Sequence, residues 1–140
     1  MKKKILLDTG PIVAFLNSND QYHEWSIEQF KNLEPPFLTC ESVVSESCFL
    51  LRKYPTGPKA MLELLCSGLI KIPFVLEQET LSIQKFLSRY SNVPISLADS
   101  CLVRMSEIFR NSILITLDDD FKIYRRNGRE AIPILFPDFK

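Results

Sequence analysis

The sequence predicts an α/β protein, built on a parallel sheet with helices on both faces. Three observations lead there. Residues 4–8 and 113–117 are short, nearly continuous apolar runs, which suit central strands covered on both sides. Segments with apolar residues at helical spacing lie between the strand-like runs. Prolines and glycines punctuate the boundaries, and strands that alternate with helices or helix pairs imply parallel pairing.

The elements follow in order. Residues 4–8 form a strand that ends in Asp8. Gly10-Pro11 opens a short helix through Leu16, since proline fits a first helical turn, where its missing N–H costs nothing. Asn17-Ser18-Asn19-Asp20 is a loop. Residues 22–33 are an amphipathic helix with Trp25, Ile27, Phe30 and Leu33 apolar, stopped by Pro35-Pro36. Residues 37–39 make a brief strand. Helices are predicted over 41–54, 58–66, 77–90 and 96–109, and strands over 69–74, 113–117 and 132–136. No repeat, low-complexity tract or internal boundary appears, so residues 1–140 read as one domain.

Composition narrows the function. Of 140 residues, 46% are hydrophobic, enough for a real core. The 17 acidic and 17 basic residues cancel, which excludes a strongly basic nucleic-acid coat and leaves only a local patch. The lysine-rich start resembles a signal peptide, but Asp8 and Pro11 interrupt its apolar run and no small-residue cleavage site follows. No run reaches the roughly 20 apolar residues that span a bilayer, so no membrane association is expected and the location is read as cytoplasmic. Cys40, Cys48, Cys66 and Cys101 form no CxxC pair and read as free, buried thiols. A single histidine argues against zinc.

The acids carry the chemistry. Ligands of open α/β sheets bind at the carboxyl ends of the strands. Asp8 ends the first strand and Asp118 follows the strand over 113–117. If those strands are neighbours, two carboxylates meet and repel unless a cation or proton is shared. Glu46, with Val43 and Leu50 at helical spacing, borders an apolar face. Asp99 has Leu102 and Val103 in the same relation, although Ser96-x-x-Asp99 also resembles a capping box. Four acids from four segments suit Mg²⁺ or Mn²⁺, hard cations that take carboxylate oxygens and keep several waters. Such an ion lowers the pKa of water and offsets charge developing on a phosphodiester.

Four blocks together resemble the PIN domain family of metal-dependent ribonucleases, and in particular the VapC-like toxins of type II toxin–antitoxin pairs. LLDTGPIVAFLNSNDQYHEW is similar to the family's opening Asp-Thr segment, including the histidine that is His23 here. TCESVVSESCFLL looks like its glutamate-bearing helix. PISLADSCLVRMSE resembles its motif in which Asp follows Leu-Ala, and LITLDDDF its Thr-x-Asp-x-x-Phe segment. The resemblance implies a three-layer α/β/α fold with about five parallel strands. It implies Mg²⁺- or Mn²⁺-dependent cleavage of RNA by Asp8, Glu46, Asp99 and Asp118, with Asp8 and Asp99 the main ligands. Thr116 would orient the fourth acid or a water. Asp120 is the alternative to Asp118, and Asp119 reads as solvated. A homodimer and an antitoxin protein are the implied partners.

RNA needs cations to offset an acidic pocket. KIYRRNGR supplies Lys122, Arg125, Arg126 and Arg129 at near-helical spacing, with Tyr124 available to stack on a base. Lys2 to Lys4 and Arg52-Lys53 are secondary candidates. Three rival readings remain. A non-catalytic PIN-like module would bind RNA or protein with vestigial acids. A phosphatase would want Asp-x-Asp, but Gly10 stands two residues after Asp8. Asp8-Thr9-Gly10 also occurs in aspartic proteases, but four glycines and strong helical periodicity argue against that all-β fold.

Overall fold

A computed structural model describes residues 2–138 of the chain. In chain order the elements are β1 (Lys4–Leu7), α1 (Thr9–Leu16), α2 (His23–Asn32), β2 (Phe37–Leu38), α3 (Glu41–Leu50), α4 (Gly57–Cys66) and β3 (Ile70–Lys71), followed by α5 (Thr80–Arg89), α6 (Leu97–Ile108), β4 (Ser112–Ile115), β5 (Arg125–Arg126), β6 (Glu130–Ala131) and β7 (Ile134–Leu135). Five strands form one parallel sheet in the order β3-β2-β1-β4-β7, flanked by helices as a three-layer α/β/α fold. β1 lies at the centre. Its residues Ile5, Leu6 and Leu7 are buried, as a strand with neighbours on both edges and helices on both faces requires.

The core gathers on the sheet. Leu6, Leu7, Ile12, Phe37, Leu102, Met105 and Leu114 are fully buried. Each such side chain contributes roughly 1.5–3 kcal/mol on leaving water. Phe30 bridges α1 and β2, with its ring 4.3 Å from Phe15 and 4.8 Å from Phe37. No helix among the described residues is long and apolar enough to cross a membrane.

Several boundaries are shorter than the sequence predicts. α3 stops at Leu50 rather than at residue 54, and the Arg52 guanidinium closes it on the Phe49 carbonyl at 2.6 Å. The expected strand over 69–74 pairs only at Ile70–Lys71, because Pro73 has no N–H for a ladder. Pro133 and Pro137 trim the last strand to Ile134–Leu135 for the same reason. The expected helix over 77–90 begins with a tight 3₁₀ turn at Leu76–Glu79. Of the cysteines, Cys40 and Cys101 are buried and Cys48 is half-buried, but Cys66 is exposed on the last turn of α4, which corrects the expectation of burial there.

The largest difference lies after Asp118. The near-helical reading of KIYRRNGR is wrong. A 3₁₀ turn over Asp119–Lys122 leads into an antiparallel hairpin, β5 with β6. Its turn holds Asn127 at φ 52° and Gly128 at φ 87°. Positive φ at both central residues is the conformation that Asn-Gly favours in hairpins.

Candidate active site

β1 and β4 pair in parallel with Leu7 opposite Ile115, so both chains leave the sheet side by side. Asp8 follows one and Thr116 the other. The Asp8 amide still donates to the Ile115 carbonyl at 3.1 Å, extending the ladder by one rung. Below it, the Thr39 hydroxyl donates to the Leu7 carbonyl at 2.7 Å, tying β2 to the same edge.

The Asp8 carboxylate is buried and doubly held. One oxygen accepts the Thr9 amide at 2.7 Å, and the other accepts the Thr116 hydroxyl at 2.7 Å. Thr116 Oγ1 in turn accepts the Asp118 amide at 3.0 Å, and Asp118 Oδ1 accepts the Asp120 amide at 2.9 Å. One hydroxyl thus fixes both the Asp8 side chain and the loop carrying Asp118. Gly10 lets this loop approach, since a Cβ there would stand 3.2 Å from the Leu117 side chain.

Asp99 enters from α6. Ser96 caps that helix by accepting the Asp99 amide at 3.0 Å, so the expected capping contact forms. The Asp99 carboxylate itself accepts the buried Tyr124 hydroxyl at 3.2 Å. Glu46 stands exposed on α3, and its charge reaches Asp99.

The electrostatics tie these acids together. Burial pushes the Asp8 pKa up to about 7; the bonds from Thr116 and Thr9 oppose the rise, and the charges of Asp99 and Asp118 add to it. Burial likewise lifts Asp99 to about 6, followed by Asp118, with Glu46 adding and the Tyr124 and Ser96 bonds opposing. The leading charged causes for both are acidic side chains. Like charges that meet this way favour a shared cation or proton.

An open cleft of about 430 Å³ lies at this edge, lined by Asp8, Thr9, Gly10, Leu117, Asp118 and Asp119. Among the described residues, no three His, Cys, Asp or Glu side chains close into a ready-made metal cage. Two features nonetheless fit a hydrated divalent ion. The donors are all oxygens, and Mg²⁺ is held through one or two carboxylates while it retains water. The Thr9 hydroxyl, on the cleft wall, is a buried polar atom without a hydrogen-bond partner. Sequence reasoning missed Thr9 as a wall group; its place beside Asp8 at a strand end was the available signal.

The structure separates the remaining expected site residues. Asp118 lines the cleft and perturbs both Asp8 and Asp99, whereas half-buried Asp120 acts on Tyr124. Asp119 is exposed and pairs with Lys122 at 3.2 Å. His23 bonds the Ala14 carbonyl through Nδ1 at 2.7 Å.

The expected basic patch is largely taken up by the fold. Tyr124 cannot stack on a base, because its ring is fully buried against Tyr90 and Phe121, with centroids at 5.1 and 5.3 Å. Arg126 is buried too. Its guanidinium donates to the Ser106 carbonyl at 2.9 Å, the Arg110 carbonyl at 3.2 Å and Glu130 at 3.0 Å. Half-buried Arg125 donates to the carbonyls of Lys122, Ile123 and Tyr124. Lys122 is exposed but serves Asp119 and lies 4.1 Å over the Phe136 ring.

Comparison with known proteins agrees with the fold. Residues 5–127 match the family model for the PIN domain. The VapC20 toxin of Mycobacterium tuberculosis, described as cleaving the sarcin-ricin loop, superposes with a TM-score of 0.74 at 19% identity, over 86% of this chain and 94% of its own. The DNA-bound VapBC2 complex of Rickettsia felis gives 0.61 at 16% identity, covering 96% and 98%. DNA-bound VapBC from Salmonella typhimurium gives 0.57 at 15%, again covering 96% and 98%. At these identities the likeness is one of fold. No curated protein sequence matches the chain significantly.

Proposed function

The chain belongs to the PIN domain family, and from that premise we propose that it is a metal-dependent endoribonuclease, the toxin of an antitoxin-neutralised pair. The observation that carries this is the coupled acid edge. The charges of Asp99 and Asp118 raise Asp8, and that of Asp118 raises Asp99, where β1 and β4 leave the sheet. Asp8 and Asp99 would hold Mg²⁺ or Mn²⁺ directly, with Asp118 and Glu46 contributing their charge. The bound ion would supply an activated water and offset charge developing on phosphate.

The protein's own groups do the rest. Thr116 and the Thr9 amide aim the Asp8 carboxylate, and the Tyr124 hydroxyl holds Asp99. Edge-on packing of Phe121 against the Tyr124 ring steadies that hydroxyl. RNA as substrate draws support from the VapC20 description, and an antitoxin partner from the VapBC complexes. A homodimer belongs to the same proposal.

One observation favours a second reading. The acids do not close into a cage among the described residues, as a non-catalytic RNA- or protein-binding module would allow. Cleavage of structured and single-stranded RNAs decides between them. Wild type and Asp8→Asn would be compared with Mn²⁺, with Mg²⁺ and with EDTA. Cutting by wild type alone, abolished by EDTA, is the expected result. Equal cutting by both proteins removes the mechanism, and RNA binding without any cutting favours the module.

A further inference from the structure

We propose that the pocket between α5, α6 and the β5–β6 turn is a phosphate subsite, holding the backbone of the RNA strand that the acid edge would cut. This rests on the nuclease reading. An acidic cleft repels a polyanion, so cations must lie close by to hold it. Two of the three hairpin arginines supply little, because Arg126 and Arg125 spend their guanidinium groups on carbonyls and Glu130, which leaves exposed Arg129.

The neighbouring pocket adds cations to that single exposed arginine. It encloses about 280 Å³, and its walls include Lys85, Arg89, Arg104, Glu107, Asn127 and Gly128. Three cations face Glu107 there, and with Glu79 paired to Arg104 the local balance is one positive charge. Arg104 is engaged by Glu79 at 3.0 Å and Glu107 at 3.1 Å. The other Glu107 oxygen accepts the Asn127 amide at 2.6 Å. Lys85 and Arg89 are exposed and have no ion-pair partner among the described residues. Four residues apart on α5, they share one helix face.

A direct structural path joins this pocket to the acids. Tyr90 follows Arg89, its ring packs edge-on against Tyr124, and the Tyr124 hydroxyl bonds Asp99. Tyr90 also accepts the Arg125 amide at 2.9 Å, fixing α5 to the hairpin. The chemistry that fits is a phosphodiester oxygen between an ammonium and a guanidinium.

The test is anisotropy of a labelled single-stranded RNA bound to Asp8→Asn protein across rising salt, with wild-type cleavage run in parallel. Replacing both cations, Lys85→Ala with Arg89→Ala, should lower the slope of log affinity against log salt by about 1.4, the value for two lost single-strand phosphate contacts. A Lys31→Ala with Lys59→Ala control removes the same charge elsewhere and should leave the slope unchanged. An unchanged slope in the first variant, or an equal drop in the control, overturns the subsite. Weakened binding of poly-glutamate with RNA affinity intact would assign the pocket to an acidic protein partner and also overturn it. Wild-type cleavage with an unchanged slope removes the subsite alone, whereas neither cleavage nor RNA binding removes the nuclease reading with it.

Discussion

Asp8 and Arg126 are each 6% exposed, yet the protein treats these two buried charges in opposite ways. Arg126 meets a carboxylate and two carbonyls, so its charge is matched where it lies. Asp8 receives two hydrogen bonds, but its charged neighbours are two more acids. A matched buried charge locks structure, here the hairpin onto the end of α6. An unmatched one stores electrostatic free energy that a cation or a proton releases. Burial alone therefore does not distinguish a structural ion from a functional one; the sign of the neighbours does.

The comparison breaks most sharply in cleavage assays. Asp8→Asn should reduce cleavage by more than about 100-fold, beyond the 10–100-fold typical of losing an outer partner of a metal ligand. Arg126→Ala should leave cleavage per folded molecule unchanged but destabilise the protein by about 2–3 kcal/mol, read from urea unfolding, because it orphans two carbonyls and opens a void. Equal damage to cleavage by both would erase the distinction.

Stability against pH comes next. The folded-state pKa of Asp8, about 7, lies above an unfolded value of about 3.9. The stability linked to its proton is thus complete below about pH 4 and is lost as pH rises through about 7. In EDTA, Asp8→Asn should gain on wild type by about 2 kcal/mol between pH 5 and pH 8, roughly half of what the full shift implies. A constant difference in Tm across that range would contradict the unmatched charge. Mn²⁺ at about ten times its Kd should stabilise wild type by about 1.4 kcal/mol and Asp8→Asn by less. The smallest effect belongs to Tyr124→Phe. Loss of its hydrogen bond moves the ionisation of Asp99 upward, so the acid limb of the cleavage profile should shift to higher pH; a shift the other way would show that the hydroxyl does not hold the carboxylate.

The sheet was legible because buried parallel strands announce themselves as apolar runs, and β1 and β4 are the two longest in the sheet. The acids were legible because Asp8 and Asp118 sit at the ends of those runs, and Asp99 on a capped helix. The hairpin is masked in the sequence, although Asn127-Gly128 is a strong turn signal, because arginines at positions 125, 126 and 129 suggest a solvated helical face. Nothing in the order of residues says that the end of α6 and the turn after it would each offer a carbonyl to Arg126. Tyr124 is ambiguous in the sequence for a related reason. Tyrosine suits a binding surface and a core equally, and only the positions of Phe121 and Tyr90 choose between them. Chain ends of strands were blurred by proline, whose missing donor shortens a ladder without changing its apolar pattern.

The bond from Thr116 to Asp8 joins residues 108 apart in the chain. During translation the first of these leaves the ribosome long before the second exists. β1 then waits at the future centre of the sheet without β4, and Asp8 has neither its hydroxyl donor nor its acidic neighbours. A nascent chain shorter than about residue 118 therefore holds no assembled site. The acid edge is therefore a late product of synthesis, a delay set by strand order alone.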